Sequence, residues 1–401
     1  MKKGWPVTRL GDLTDLVTKG TTPTSIGHEF VGDGINFVKV ESISTTGEFI
    51  EEKFAHITPA CHAVLGRSQL QAGDILFSIA GALGRTGFVT DEILPANTNQ
   101  ALAIIRLKRD VGLSPKFVLK ALETGVVLEQ IEKFKGGVAQ QNLSLAQVRD
   151  FQIALPPLAE QQRIVGLLDE AFEGLATAKA NAEKNLQNAR ALFESHLQSV
   201  FTQRGPGWVE KTIGETCTLR SGTTVSPTLE KPIGDIPYLK VADMTFDGNE
   251  DQITTSSRFL SDTDVRVSAI IPKGATIFPK RGGAILTNKK RITSLPICAD
   301  LNIMAVIPSS QIDAGLLYFY FLNVDMRKLG TGSSIPQINN YDVAPLLISF
   351  PKSLATQEEI VSKLDDLREE TQRLARLYER KQAALEALKK SLLHQAFTGE
   401  L

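Results

Sequence analysis

Residues 360–392 read IVSKLDDLREETQRLARLYERKQAALEALKKSL. Ile360, Leu364, Leu367, Thr371, Leu374, Tyr378, Lys381, Leu385, Leu388 and Leu392 recur at alternating steps of four and three. Such alternation, sustained over more than about four heptads, predicts a long helix carrying one stripe along its length, with Thr371 and Lys381 as polar interruptions. A second helix of the same kind starts after Pro156-Pro157. Its stripe is Ile164, Leu168, Ala171, Leu175, Ala178, Ala182, Leu186, Ala189, Phe193, His196 and Val200, with one extra four-residue step, a stutter, near Ala182. Leu158 to Phe201 would extend roughly 66 Å at about 1.5 Å per residue. Core packing would satisfy either helix alone. Two matched helices with exposed stripes satisfy each other, and their alanine-rich middles permit close approach. The expectation is an antiparallel intramolecular coiled coil that acts as a spacer.

Outward from these helices the chain repeats itself. Gly4-Trp5 returns as Gly207-Trp208, Ile35–Val40 as Ile236–Val241, Ala72–Phe77 as Lys273–Phe278, and Gln100–Ile105 as Asn302–Ile307, and the offset between the copies runs from 203 at the start to 195 at the prolines Pro156 and Pro351. A period near 200 residues is too long for a solenoid unit and points to a duplicated globular domain with its helix. In each copy β-branched or aromatic runs bounded by Gly, Asp and Asn read as strands. Ser114-Pro115 opens a helix through about Leu122, and Phe151–Leu155 and Leu346–Phe350 are last strands before the prolines. The predicted fold class is α+β. Two homologous mixed α/β domains, 1–156 and 204–352, are separated by two long helical segments, 157–203 and 353–401, with approximate two-fold symmetry.

Composition narrows the function. Cys61, Cys217 and Cys298 are too few and scattered for a disulfide framework, which suggests a reducing cytoplasm. Lys2-Lys3 is followed by Gly4-Trp5-Pro6 and not by an apolar run, against a signal peptide. No segment approaches the roughly 20 apolar residues of a membrane span. The net charge of −1 lacks the basic excess of a protein that grips DNA alone, and residues 1–155 hold 16 basic against 16 acidic side chains. Either the charge is segregated by face or another subunit holds the backbone.

Catalytic motifs are missing. There is no Gly-x4-Gly-Lys-Ser/Thr phosphate loop, and Gly81–Gly87 reads as a tight hairpin. Glu51-Glu52-Lys53 has a nuclease-like spacing that its second copy lacks, and His56, Cys61 and His62 have no second pair to complete a metal site. No catalytic residue and no metal ligand are expected. Lys280, Arg281, Lys289, Lys290 and Arg291 instead place five positive charges around the Gly282-Gly283 turn, where the first copy has Arg85 and, before it, Arg67. A solvated loop would explain these equally well. Later loops align Gln140, Gln141 and Asn142 with Gln337 and Asn340. Gln and Asn suit adenine edges, and Arg and Lys suit guanine, although the same amides are ordinary turn formers.

The proline-to-helix junction is the diagnostic stretch. Ala154-Leu155-Pro156-Pro157-Leu158-Ala159-Glu160-Gln161-Gln162-Arg163-Ile164-Val165, then Leu167-Leu168-Asp169, resembles the conserved region of type I restriction-modification specificity subunits. Ser349-Phe350-Pro351-Lys352-Ser353-Leu354-Ala355-Thr356-Gln357-Glu358-Glu359-Ile360-Val361 echoes it, and Ser391–Leu401 is similar to that family's C-terminus. The second junction departs from the first at Lys352-Ser353 and Thr356. The resemblance covers the whole chain and implies a non-catalytic reader of double-stranded DNA. Each target recognition domain would read half of a bipartite, asymmetric site, and the helices would dock two modification subunits. S-adenosylmethionine, ATP and Mg would be used by the modification and restriction subunits, with none bound here. A specificity partner of a bifunctional type II restriction-methylation enzyme, a duplicated scaffold that binds no DNA, and an enzyme of unrecognised type remain open at this point.

Overall fold

The computed structural model describes residues 5–109, 112–135, 142–202, 205–330 and 336–401. They form two compact units, Met1–Ala182 with Arg380–Leu401, and Glu183–Glu379, so that each long helix contributes to both.

In the first unit, Thr14–Lys19, Leu102–Leu107, Ile75–Ser78 and Thr86–Phe88 make a four-stranded antiparallel sheet in that order. Three shorter strands pair as Ala55–Ile57, Ile35–Val38 and Ala96–Thr98, the last two in parallel. The central strands are apolar at nearly every position because both sheet faces are covered. Ile75, Phe77, Ala103 and Ile105 enter one core, and Leu76, Leu102 and Ile104 the other. The second unit repeats the scheme. Phe278, Met304 and Val306 face one core, and Ile277, Ile303 and Ala305 the opposite one. Strands Ile236–Leu239, Thr276–Pro279 and Ile303–Pro308 correspond to those read from the repeat.

Helix Pro115–Leu122 forms where Ser114 accepts a bond from the Phe117 N–H and Pro115 occupies the first turn. Its inner face packs on the sheet and on the helical pair: the Phe117 and Phe397 rings lie 4.9 Å apart, both buried. Burying one such ring is worth about 1.5–3 kcal/mol. Asp313 caps the equivalent helix, Ala314–Asn323.

The long helices span Leu158–Thr202 and Leu354–Thr398. Within the first unit Arg163 donates to the Leu401 carbonyl at 3.0 Å and Lys179 pairs with Glu386, so the two segments run antiparallel there. Ile164 and Leu168 share a core with Leu393, Ala396 and Phe397. Within the second unit Leu197 and Leu364 are buried together beside Phe193 and Ile360, and Arg190 meets Glu379 at 2.8 Å. These exposed ion pairs contribute about 0–1 kcal/mol each.

The stripe differs from its sequence reading at three places. Leu175, Leu367, Leu374, Leu385 and Leu392 are half-buried and Leu186 is buried, but Leu388 is 46% exposed and Lys381 is exposed. Gln382 and Lys389 take their places on the inner line. In the first helix His196 is exposed and Leu197 is buried. A strict heptad drifts about 20° per repeat against a helix of 3.6 residues per turn. An extra four-residue step, Tyr378 to Gln382, and another, Phe193 to Leu197, restore the facing. The second helix therefore carries a stutter that matches the one read near Ala182 in the first.

The junctions are more alike than their alignment implied. Gln161 and Gln357 are both buried. Gln161 accepts the Ser114 N–H at 2.9 Å and donates to the Gly112 and Pro156 carbonyls at 3.2 and 2.8 Å. Gln357 accepts the Asp313 N–H at 2.7 Å and donates to the Gln311 and Pro351 carbonyls at 3.0 and 2.7 Å. The counterpart of Gln161 is thus Gln357 and not Thr356. Lys352-Ser353 holds one extra residue, which the turn absorbs.

Candidate nucleic-acid interface

The two copies tie their late loops to the sheet in the same way. Leu143 N–H donates to the Ile79 carbonyl at 2.9 Å, and Ile338 N–H to the Lys280 carbonyl at 2.8 Å. Asn142 therefore matches Gln337 and not Asn340, three positions further on. Ser144 with Gln147, and Asn339 with Asp342, form capping boxes directly after the tether.

In the second unit this brings Arg281 beside Gln337 in a β-bridge, with Gly282 N–H bonded to the Pro336 carbonyl at 2.8 Å. A polar ridge results, exposed at Arg281 and Tyr341 and half-buried at Gln337 and Asn339. Arg281 donates to Gln337 Oε1 at 3.3 Å, Gln337 to Asn339 Oδ1 at 2.6 Å, and Asn339 to the Tyr341 hydroxyl at 2.8 Å. Tyr341 is 69% exposed, and Asn340 is exposed beside it. Three of the side chains chosen for groove chemistry, Arg281, Gln337 and Asn340, thus lie on one surface, with the guanidinium oriented by Gln337.

The remaining cations divide sharply. Lys280 is buried with Nζ bonded to Ser221 Oγ at 2.8 Å, and burial, then the Arg281 charge, lowers its pKa. Lys290 is buried between Asn288 Oδ1 at 2.8 Å and the Val324 carbonyl at 2.6 Å. Desolvation brings its pKa down to about 8, with Asp325 opposing and Arg327 assisting. Arg291 bonds the Asn249 carbonyl and the Lys290 carbonyl. Lys289 is half-buried after Asn288, whose φ of 53° is left-handed. Three of the five charges hold the loop together, and Arg281 is the one set outward.

The first unit shows the same division. Arg85 is half-buried and donates to the Val40 and Ile43 carbonyls at 3.2 and 2.7 Å, so it braces the hairpin. Arg67 is exposed and reaches Thr21 Oγ1 at 3.4 Å, next to the Thr22–Gln100 bond. Asn142 is exposed; Gln140 and Gln141 lie outside the described residues. Residue-type reasoning passed over Gly20 and Gly222. A Cβ on Gly20 would fall 1.8 Å from the Thr98 carbonyl oxygen, and one on Gly222 2.1 Å from that of Asp300. Only glycine lets these loops cross the adjacent strand end so closely. The recurrence of Gly20-Thr21-Thr22 as Gly222-Thr223-Thr224 is the signal that could have found them.

Among the described residues no group of three or more His, Cys, Asp or Glu side chains is placed to hold a metal ion, and no helix is long and apolar enough to cross a membrane.

A family model described as the type I restriction modification DNA specificity domain matches residues 2–186 and again 206–382. The specificity subunit of the EcoBI type I restriction enzyme from Escherichia coli is 29% identical over 175 residues, which is 43% of this chain and 35% of that subunit. The matched stretches span about a third of the length of the first two curated relatives, 35% and 33%. The MjaIX specificity subunit of Methanocaldococcus jannaschii is 21% identical over 87% of this chain and 83% of its own. The crystal structure of the HsdS subunit from Thermoanaerobacter tengcongensis superposes with a TM-score of 0.64 at 20% identity, covering 100% of this chain and 98% of that one. A chain from work on complex assembly and conformational transition of the type I R-M system reaches 0.80 at 20% identity, covering 100% and 99%. At this identity the likeness is one of fold.

Proposed function

The chain belongs to the type I restriction-modification DNA specificity family, and from that membership we propose that it is the DNA-reading subunit of a type I restriction-modification enzyme. The observation that carries this reading is that the family match falls once on each copy of the repeat. Each recognition domain reads one half of a bipartite, asymmetric duplex target. The paired helices set the gap and dock two modification subunits, and restriction subunits join through that core. The chain is non-catalytic and binds no cofactor; S-adenosylmethionine, ATP and Mg belong to its partners, in the cytoplasm. A net charge of −1 is consistent with partners that share the phosphate contacts.

The test is methylome sequencing of a host that expresses the chain with its modification subunit. One bipartite adenine-methylated motif is expected; methylation with no sequence preference refutes the reading. The ridge gives a finer expectation. Arg281→Ala should weaken cognate-duplex binding by the assembled methyltransferase about 3–10-fold and flatten its salt dependence by about one phosphate. Arg85→Met should leave the salt slope unchanged and instead lower stability by about 1–3 kcal/mol, because two carbonyls lose a charged donor. Titration over a salt series, beside a denaturant melt, separates the two.

A further inference from the structure

The long helices meet their recognition domains through a three-residue stack whose chemistry is reversed between the copies. In the first unit two ammonium groups lie over the Phe172 ring. Lys120 of helix Pro115–Leu122 sits 4.8 Å from the ring centroid, and Lys389 of the second long helix 4.9 Å from it. The second unit places Arg368 at the position of Phe172, Phe319 of helix Ala314–Asn323 at that of Lys120, and Phe193 at that of Lys389. Here the guanidinium lies 5.3 Å from the Phe319 ring and 5.9 Å from that of Tyr318, and the Phe193 and Phe319 rings are 6.2 Å apart. At each of the three equivalent positions cation and aromatic ring have changed places, and Phe319 is the middle group by contact, with Arg368 and Phe193 both against it. The acid three residues earlier on the helix follows the cation wherever it sits: Asp169 is 2.8 Å from Lys120, and Asp365 is 2.8 Å from Arg368.

We propose that this inverted stack is a placing key, which decides the helix segments against which each recognition domain is accepted. Lys120 and Phe319 are buried, and Phe172 and Arg368 lie in partly desolvated ground, where cation–aromatic attraction and like-charge repulsion are both strengthened. The first domain moved to the second place would set Lys120 against Arg368, two cations in contact. The second domain moved to the first place would set Phe319 on Phe172 and leave Asp169 without its nearest ammonium. Domains are therefore interchangeable within a place and mismatched across places. Under the DNA reading, each place thereby draws its half-target from its own set of domains.

The test is the melting of the full chain by scanning calorimetry, with no DNA present, so its outcome is independent of that reading. Phe172→Arg alone should lower the midpoint by about 3–6 °C, since it faces Lys120 and Lys389 with a third cation. Adding Lys120→Phe and Lys389→Phe rebuilds the order of the second unit and should recover more than half of the loss. Recovery of less than half overturns the inference. If Phe172→Arg alone gives no folded chain, a folded triple variant supports the inference and an unfolded one overturns it.

Discussion

Gln161→Leu and Gln357→Leu are each expected to cost about 3–5 kcal/mol of folding stability, well beyond an ordinary polar substitution. Each amide makes three hydrogen bonds in a buried site, one to a backbone N–H at the start of a docking helix and two to carbonyls on either side of the junction. Leucine matches the volume but leaves a donor and two acceptors orphaned, at about 1–3 kcal/mol apiece before relaxation. Thr356→Ala, one position before Gln357 and exposed, should change stability by less than about 0.5 kcal/mol. Urea denaturation of the parent and the three variants decides the matter. Loss in the glutamine variants no greater than in Thr356→Ala would show that the junction is held elsewhere.

Exchanging residues 1–155 for the same segment of another family member should replace one half of the methylated target entirely and leave the other half and the gap unchanged. The physical ground is that the first unit buries its own sheet faces in its own two cores, and the second does the same. A graft therefore disturbs the face that docks on the helices, around Phe117 and Lys120 and at the Gln161 bonds to Ser114 and Gly112, and leaves the second unit's cores untouched. Methylation sequencing of the hybrid reads the result directly. Altered sequence in both halves would mean that the recognition surfaces are not independent. A graft with an aromatic residue at the position of Lys120 should assemble less well than one with lysine.

Much of this architecture was legible in the residues. The repeat, the strand cores and the proline stops are local patterns, and burial on both faces turned the central strands into apolar runs that recur at matching offsets. The stripe was legible to within one residue. It failed at Leu388 and His196 because a fixed heptad ignores the roughly 0.1-residue difference between 3.5 and 3.6 per turn, and because a lysine stem can face inward when its ammonium finds a ring. The candidate binding side chains were less legible. Composition cannot tell a lysine that bonds a carbonyl from one that faces solvent, so Lys280, Lys290, Arg85 and Arg291 read like Arg281. The glutamine junctions read only as a family signature, and their internal chemistry shows in the structure alone.

The paired stutters carry a consequence for anyone who would resize this protein. Because the inner line of each helix advances at the natural pitch of an unstrained helix, every excision acts as a vernier on the remainder of the rod. Cutting four residues turns the downstream side chains about 40° past their former bearing, whereas cutting seven leaves them only about 20° short. Trimmed versions should therefore tolerate a seven-residue cut in both helices better than a four-residue cut, although the longer excision discards more contact.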